Sequence, residues 1–431
     1  MPPMTLVMTS IGIYMVKLPP PVPSKWDIIP VHTSDRAAFK ACRRRWSWSS
    51  PSQLNLVPKV RVHGVRMPLW FGTGIHYALE HYYNPILSED PVAVFEAWFN
   101  LQWDGGLVTD EELWNSKELQ SREPQKQGDK DTYWVKGLNE LLPDPDEEVF
   151  MAHKELGIGM LNFYKTYAER EDNFNVIMVE HDFSVPVRSP DGNILQFVDQ
   201  RVVPEEWSFD RDSFNVEKEV HARGRMDLIV QGKSSGLFGI VDHKTAGKID
   251  EDYFRGLDLD EQCTTYIWAA QEEAKYYDLD YKNMNFVVYQ ALRKAYPREP
   301  TMLEKGIPSI DRQKESTTAE LFEKCIKDNN LDIIFQNSDK MQSYYTHLVE
   351  MGDKLFIQRD VVPRNDAQIK NAGKRLYLEA VDMLSNPSIY PNPTKNIDCL
   401  NCAFRGACIA TEAGYDADAM IEDGYEANYD R

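Results

Sequence analysis

The segment ARGRMDLIVQGKSSGLFGIVDHKT, residues 222 to 245, reads as two strands joined by a tight turn. Apolar and β-branched runs lie on either side of QGKSSG, a glycine-containing connection of hairpin length. Side chains alternate along a strand, so Asp242 and Lys244 leave one face of the second strand while His243 leaves the other. A further carboxylate, Asp227, can sit across the hairpin from that pair. Two acids converging on one spot repel unless a cation lies between them, and hard oxygen ligands select magnesium or manganese. Acid and lysine alternate on many solvent-facing strands, but here Ile240 and Val241 precede them and a neighbouring strand carries GRMD. A lysine held beside such an ion stabilises developing charge or orients an attacking water, which suits phosphodiester hydrolysis.

Outward from this hairpin the pattern is that of an α/β protein. NVIMVEHDFSVPV, residues 175 to 187, and FVVYQAL, residues 286 to 292, read as further strands, and DEQCTTYIWAAQEEAKYY, residues 260 to 277, as a helix between strands. Upstream, DRAAFKACRRRW from Asp35 looks like one helix capped at Ser34, and WFGTGIHYALEHYY like a second, with Ile75, Leu79 and Tyr82 at helical spacing. Residues 85 to 150 are polar, acidic and turn-rich and read as a surface insertion, followed by a helix near 150 to 168. Residues 315 to 384 read as predominantly helical, and PPPVPS at Pro19 to Ser24 as a stiff linker.

Length and composition bound the class. A chain of 431 residues, 42% hydrophobic and 27% charged, is long enough for a large core with insertions and too apolar for disorder. Leu6 to Val16 is too short to span a bilayer and has no basic leader or cleavage site, so it reads as a strand or packed arm. Six cysteines in such a chain do not make a disulfide scaffold, and the expected setting is the reducing cytoplasm, with no membrane association.

A net charge of -20 argues, as a sum, against a nucleic-acid partner. The distribution says otherwise: no acid occurs from Arg36 to Leu79, where Arg36, Lys40, Arg43, Arg44, Arg45, Lys59, Arg61 and Arg66 interleave with Trp46 and Trp48. Such a run is either a solvated face or a phosphate-binding one. Acid gathers in Glu89 to Glu148 and in the tail after Cys408.

CLNCAFRGAC, residues 399 to 408, places Cys399, Cys402 and Cys408 within ten residues, so a four-thiolate site lacks one ligand. An all-cysteine set serves zinc as well as an iron-sulfur cluster, and spacing does not decide between them. Cys263 and Cys325, with no partner at ligand spacing, read as core cysteines, and His81 and His243 as ordinary structural histidines.

The ordered set Gly72, His76, Leu79 and Glu80 (G-x-x-x-H with L-E), then G-R-M-D at Gly224 to Asp227, D-x-K-T at Asp242 to Thr245, and Q-x-x-x-Y at Gln262 and Tyr266 resembles the RecB-type branch of the PD-(D/E)XK nuclease superfamily. The resemblance implies that His76, Asp227 and Asp242 ligate Mg2+ or Mn2+, that Lys244 is the catalytic lysine, and that Gln262 and Tyr266 support the active site and the DNA backbone. Glu180 is similar to a recurrent family glutamate of supporting role. AddB-type nucleases and the CRISPR-associated RecB-like exonucleases in this group hold a [4Fe-4S] cluster with one cysteine before the nuclease motifs and three after them, spaced as here. By that likeness Cys42, the one cysteine upstream of His76, is the fourth ligand with Cys399, Cys402 and Cys408, and Arg43, Arg44, Arg45 and Arg225 are candidate DNA contacts.

The expected fold is therefore α/β: a restriction-endonuclease-like core, a mixed central sheet flanked by helices, with helical insertions and a C-terminal iron-sulfur lobe. Its expected parts are an arm and linker (1–30), an N-terminal helical part (31–84), an acidic insertion (85–150), the nuclease core (151–300), a helical segment (301–384), the cluster lobe (385–410) and an acidic tail (411–431). The expected activity is metal-dependent exonucleolysis of single-stranded DNA ends, with 5′ to 3′ polarity, in recombination, repair or replication. A stand-alone prokaryotic or phage version fits this pattern, and the alternative is a nuclease-fold subunit that holds DNA or a recombination partner. No G-x-x-x-x-G-K-[ST] motif is present, so unwinding would come from a separate helicase.

Overall fold

In the computed structural model the described residues are 4–9, 12–17, 23, 27–50, 52–58, 67–115, 122, 124–127, 131–142, 145–199, 216–385, 387–392, 397–400 and 402–427. The centre is a seven-stranded mixed sheet. Its strands are β1 (Ile29–His32), β2 (Phe174–Pro186), β3 (Glu217–Gly232), β4 (Phe238–Ala246), β5 (Phe286–Arg293), β6 (Ile357–Pro363) and the short Gln196–Val198. The helices that bear on the site are α1 (Thr33–Ala41), α2 (Arg43–Ser49), α3 (Met67–Tyr83), α4 (Pro91–Asp104), α5 (Glu147–Glu171), α6 (Glu261–Tyr277), α7 (Asp366–Leu384) and α8 (Arg405–Glu412).

The order is β6-β5-β4-β3-β1, with β2 also lying along β3. The first half of β3 runs parallel to β1 and its second half antiparallel to β4, while β2 pairs antiparallel with most of its length. Strands β4 and β5 are parallel, Asp242 standing opposite Tyr289. A parallel pair needs a crossover, and α6 supplies it. Asp260 caps α6 by accepting from the Cys263 amide at 2.6 Å, and α6 ends where Asp278 turns left-handed.

Alternation along β4 sorts the two faces. Ile240 packs with α1, α6 and α7, against Phe39, Ile267, Ala270 and Leu376, whereas Val241 packs with α3, α4 and α5, against Phe71, Ile75, Phe95 and Leu161. Asp242 and Lys244 share parity with Ile240 and His243 with Val241, as the hairpin reading requires. Helix α6 is buried on all sides from Cys263 to Ala270, because the sheet covers one side and α7 the other. A smaller cluster joins the helices between Ala319 and Met351, where Phe322, Met341 and Tyr344 pack together.

Several local expectations are corrected. The helix from Ser34 to Trp46 is two helices: Cys42 is extended, with φ -161°, and His32 rather than Ser34 precedes α1. Residues 91–104 are not a surface insertion, since Phe95 and Phe99 of α4 are fully buried in the α3–α5 face. The segment after them forms a small antiparallel sheet of Gly105–Thr109, Gln125–Lys126 and Thr132–Lys136. The helical run 315–384 is interrupted by β6, whose IQRDVVP alternates poorly but pairs with β5 throughout. Leu6 to Val16 falls in a two-stranded hairpin, Met4–Thr9 with Gly12–Lys17. Most of the proline linker, Lys59, Arg61, Arg66 and the last four residues of the tail lie outside the described residues. Among the described residues no helix is long and apolar enough to cross a membrane.

Candidate active site

The β3–β4 ladder closes at Leu228 and Val241, so Asp227 and Asp242 meet at the next rung, where the strands part. There the amide of His243 donates to Asp227 Oδ2 at 2.7 Å. On the other side of β3, Met226 pairs with His181 and Leu228 with Val179, leaving Asp227 and Glu180 out of the ladder between them. Glu180 has φ 46°, in the left-handed region that a non-glycine residue enters at a cost of about 1 kcal/mol or more. This kink brings Glu180 to Asp227. Ligand atoms of His76, Glu180 and Asp227 lie within 4.8 Å of one another, the one such group of three among the described residues. His76 arrives from α3, its Nδ1 3.6 Å from Asp227 Oδ2. Close packing sets α3 in place: a Cβ on Gly72 would come 3.2 Å from Thr245 Oγ1 at the end of β4.

Asp242 is 1% exposed and its Oδ1 accepts from Lys244 Nζ at 2.9 Å. Lys244 Nζ also lies 2.7 Å from Oδ2, so that buried oxygen touches the ammonium although, among the described residues, nothing donates a directed hydrogen bond to it. Burial pushes Asp242 up to about 6, against the pull of Lys244. Burial, joined by the charges of Asp227 and Glu80, pushes Glu180 up to about 8. Asp227 behaves oppositely: burial opposes its charge, but hydrogen bonding from the His243 side chain and the charges of His76, His243 and Lys244 outweigh it and hold it at about 2. Burial lowers His76, which favours the neutral imidazole that a metal ligand requires. Lys244 stays charged, because Asp242 and Asp227 overcome its burial.

The donor set thus fits a divalent cation. Carboxylates raised by mutual repulsion and burial, one neutral imidazole and a buried carboxylate oxygen without a directed hydrogen bond are what a hard or borderline ion relieves. Of the three expected ligands, His76 and Asp227 lie together with Glu180, whereas Asp242 falls outside that group and is paired with Lys244. The sequence signal for Glu180 was an acid directly following the apolar run VIMV, residues 176 to 179.

Around this centre, Gln262 Nε2 donates to Tyr266 Oη at 2.9 Å on one face of α6. Burial and the charge of Asp242 raise Tyr266, so its phenol keeps its proton. A Cβ on Gly224 would come 2.8 Å from the Phe183 ring and 3.6 Å from Tyr266, so the glycine of GRMD lets that pair close over the sheet. Arg225 makes a two-pronged pair with Asp182, at 2.8 and 3.0 Å, and reaches Glu180 at 3.5 Å.

The basic stretch is matched in space to the acids it lacks in sequence. Arg36 is 2% exposed and bonds Glu379 and Thr265, Lys40 pairs with Glu261 and Glu379, Arg43 with Asp382 and Arg44 with Glu412. Trp46 is core, packed on Phe39, rather than a stacking platform.

The chain after α7 returns to the α1–α2 junction, where the Arg44 amide donates to the Tyr390 carbonyl and Asn392 Nδ2 to the Ala41 carbonyl. The Asn392 amide points at Cys42 Sγ at 3.5 Å, and Cys399 Sγ lies 4.0 Å from the Asn392 carbonyl. Arg44 Nη1 is 3.6 Å from Cys408 Sγ, and Cys402 feels the charges of Arg45, Cys42 and Cys408. All six cysteines are free thiols, with Cys263 and Cys325 buried elsewhere. No three of the sulfurs close within 4.8 Å of one another.

Residues 33–409 match the PD-(D/E)XK nuclease superfamily, a span that includes every residue of the metal trio, the Asp242–Lys244 pair and the four neighbouring cysteines. No curated protein matches the chain.

Proposed function

The chain belongs to the PD-(D/E)XK nuclease superfamily, and from that premise we propose a RecB-type, divalent-metal-dependent DNA exonuclease. The observation that carries the reading is the convergence of His76, Glu180 and Asp227 beside the Asp242–Lys244 pair. Those three residues would hold Mg2+ or Mn2+, with the buried Oδ2 of Asp242, which lacks a directed hydrogen bond, as a further oxygen donor. When bound, such an ion supplies Lewis-acid polarisation of phosphate and a lowered pKa for its water.

The chain's own groups do the rest. Lys244, held charged at the same edge, faces the negative charge that grows on the phosphate as the bond to the leaving oxygen breaks. Tyr266 accepts from Gln262, which leaves its hydroxyl proton free to bond a backbone phosphate oxygen. Since Arg43, Arg44 and Arg225 are already matched to carboxylates, positioning of DNA is assigned to α6 rather than to them.

Likeness to the AddB-type and CRISPR-associated enzymes supports single-stranded ends as substrate, 5′ to 3′ polarity, a role in recombination, repair or replication, and a separate helicase for unwinding. It also supports a [4Fe-4S] cluster on Cys42, Cys399, Cys402 and Cys408. Cys42 and Cys399 both reach Asn392, Cys408 reaches Arg44 beside Cys42, and Cys402 lies within electrostatic range of Cys42 and Cys408, which favours one shared group.

The deciding experiment is degradation of end-labelled single- and double-stranded DNA by anaerobically purified protein, with Mg2+ or Mn2+ against EDTA. Metal-dependent release of label from the 5′ end supports the reading. Protein with all four cysteines occupied that binds DNA without cutting it points instead to the DNA-holding subunit.

A further inference from the structure

His243, the residue between Asp242 and Lys244, takes no part in the chemistry above. It is buried on the opposite face of β4, among α3, α5 and β5. Its Nδ1 lies 3.6 Å from Asp227 Oδ2 and its Nε2 3.2 Å from Tyr164 Oη. The same Oδ2 already accepts the His243 amide. Behind the ring, Tyr164 Oη stands 2.6 Å from Tyr83 Oη and accepts from Gln290 Nε2. Tyr83 donates to Asp172 Oδ2 at 2.7 Å, and Arg359 closes the circuit on Gln290 and Asp172. Tyr164, His243 and Gln290 are essentially buried, so each member has its partner within the network and little access to water.

Apolar residues would fill this space more simply. Buried polar networks add no packing that aliphatic side chains lack, and they destabilise when any member goes unmatched. This one ends on the carboxylate that the proposed ion needs. We infer that Tyr164 and His243 are positioning residues: Tyr164, fixed by Tyr83 and Gln290, orients the His243 ring, and His243 sets the plane of the Asp227 carboxylate from behind. The inference rests on the metal reading of His76, Glu180 and Asp227. Outer partners of this kind typically change metal affinity about ten-fold or more when removed.

The test is Mn2+ affinity, read from the electron paramagnetic resonance of free Mn2+, for wild type, Tyr164→Phe, Tyr83→Phe and Asp227→Asn. Tyr164→Phe keeps the ring and removes only the oxygen, and Tyr83→Phe weakens its support if Tyr164→Phe does not fold. The expected result is Mn2+ binding by wild type, loss in Asp227→Asn, and about ten-fold weakening in the tyrosine variants. Cleavage by those variants, shown by circular dichroism to be folded before Mn2+ is added, should then recover at saturating Mn2+ with the KM for DNA unchanged. Unaltered Mn2+ affinity in folded Tyr164→Phe, with wild type binding, overturns the positioning role alone. Absence of Mn2+ binding by wild type overturns the metal reading and this inference with it.

Discussion

Lys244 Nζ sits 2.9 Å from Oδ1 of Asp242, two residues back along the same strand, and among the described residues no other cation donates to that buried carboxylate. The pair is therefore both a charge in place for phosphate chemistry and the local relief of a buried acid. Lys244→Ala should reduce cleavage by about 10²–10³-fold, the usual loss when one preorganised charge or donor is removed. DNA binding should survive, because Gln262 and Tyr266 are untouched. Gel-shift and end-label assays on the same preparation check both statements; cleavage within a few-fold of wild type would remove Lys244 from the mechanism.

Metal binding should be proton-linked through Glu180. Its unfolded value of 4.5 rises to about 8 in the ion-free site, so between those values the native state holds a proton that the unfolded chain has lost. Stability from this group consequently falls as pH rises through the window. Asp242, moved from 3.8 to about 6, acts in the same direction lower down. A cation must displace these protons, so Mn2+ affinity should rise about ten-fold from pH 6 to pH 7 for one proton released. Calorimetry in buffers of different ionisation enthalpy counts the protons. Glu180→Gln should bind Mn2+ more weakly and with a flatter pH profile; an unchanged slope would take Glu180 out of the ligand set.

The hairpin and its polar triplet were legible because strand parity is a local rule: Asp242, His243 and Lys244 fall on the faces that a period of two dictates. The positions of His76, Gln262 and Tyr266 followed from order along the chain and helical spacing. Glu180 was legible as a candidate but not as a partner of Asp227, because its approach depends on a left-handed residue in mid-strand that no local pattern announces. The basic run misled for a related reason. Charge balance is a property of space, and Glu261, Glu379, Asp382 and Glu412 reach that run only through tertiary packing. The tyrosines behind His243 carried no sequence signal, since buried tyrosines are more often core than network.

At the cysteine site, Cys42→Ser should lower bound iron and sulfide and release the C-terminal segment from the α1–α2 junction. Cys42 is far from the other three thiols in sequence, and a ligand bridging such a separation turns metal binding energy into folding energy. Iron and zinc analysis of anaerobic protein, with limited proteolysis of the variant, reads both effects. Arg44→Ala, which removes the guanidinium 3.6 Å from Cys408 Sγ, should leave the site loaded but easier to strip with a chelator. Zinc in place of iron in freshly isolated protein would reject the iron-sulfur assignment while sparing the four-thiol site.

The link between that site and the nuclease face runs through Arg36. It is buried, reaches Thr265 Oγ1 on α6 at 3.1 Å and bonds Glu379 on α7, while Lys40, one turn on, pairs with both Glu379 and Glu261. Helix α1, which leads into Cys42, is thereby fixed to the helix that carries Gln262 and Tyr266. Removing Arg36 leaves the partly buried Glu379 with only the more exposed Lys40 as counter-charge, so Arg36→Met should destabilise the fold by up to about 3 kcal/mol, the lower end for a broken buried pair. Replacing both partners removes the stranded charge, and Arg36→Met with Glu379→Met should recover a substantial part of that loss. Lys40→Met, at a half-exposed position, should cost less than about 1 kcal/mol. Denaturant unfolding of the three variants measures these differences. A double variant no more stable than Arg36→Met would mean that Arg36 matters for its bond to Thr265 and its packing, not for its charge.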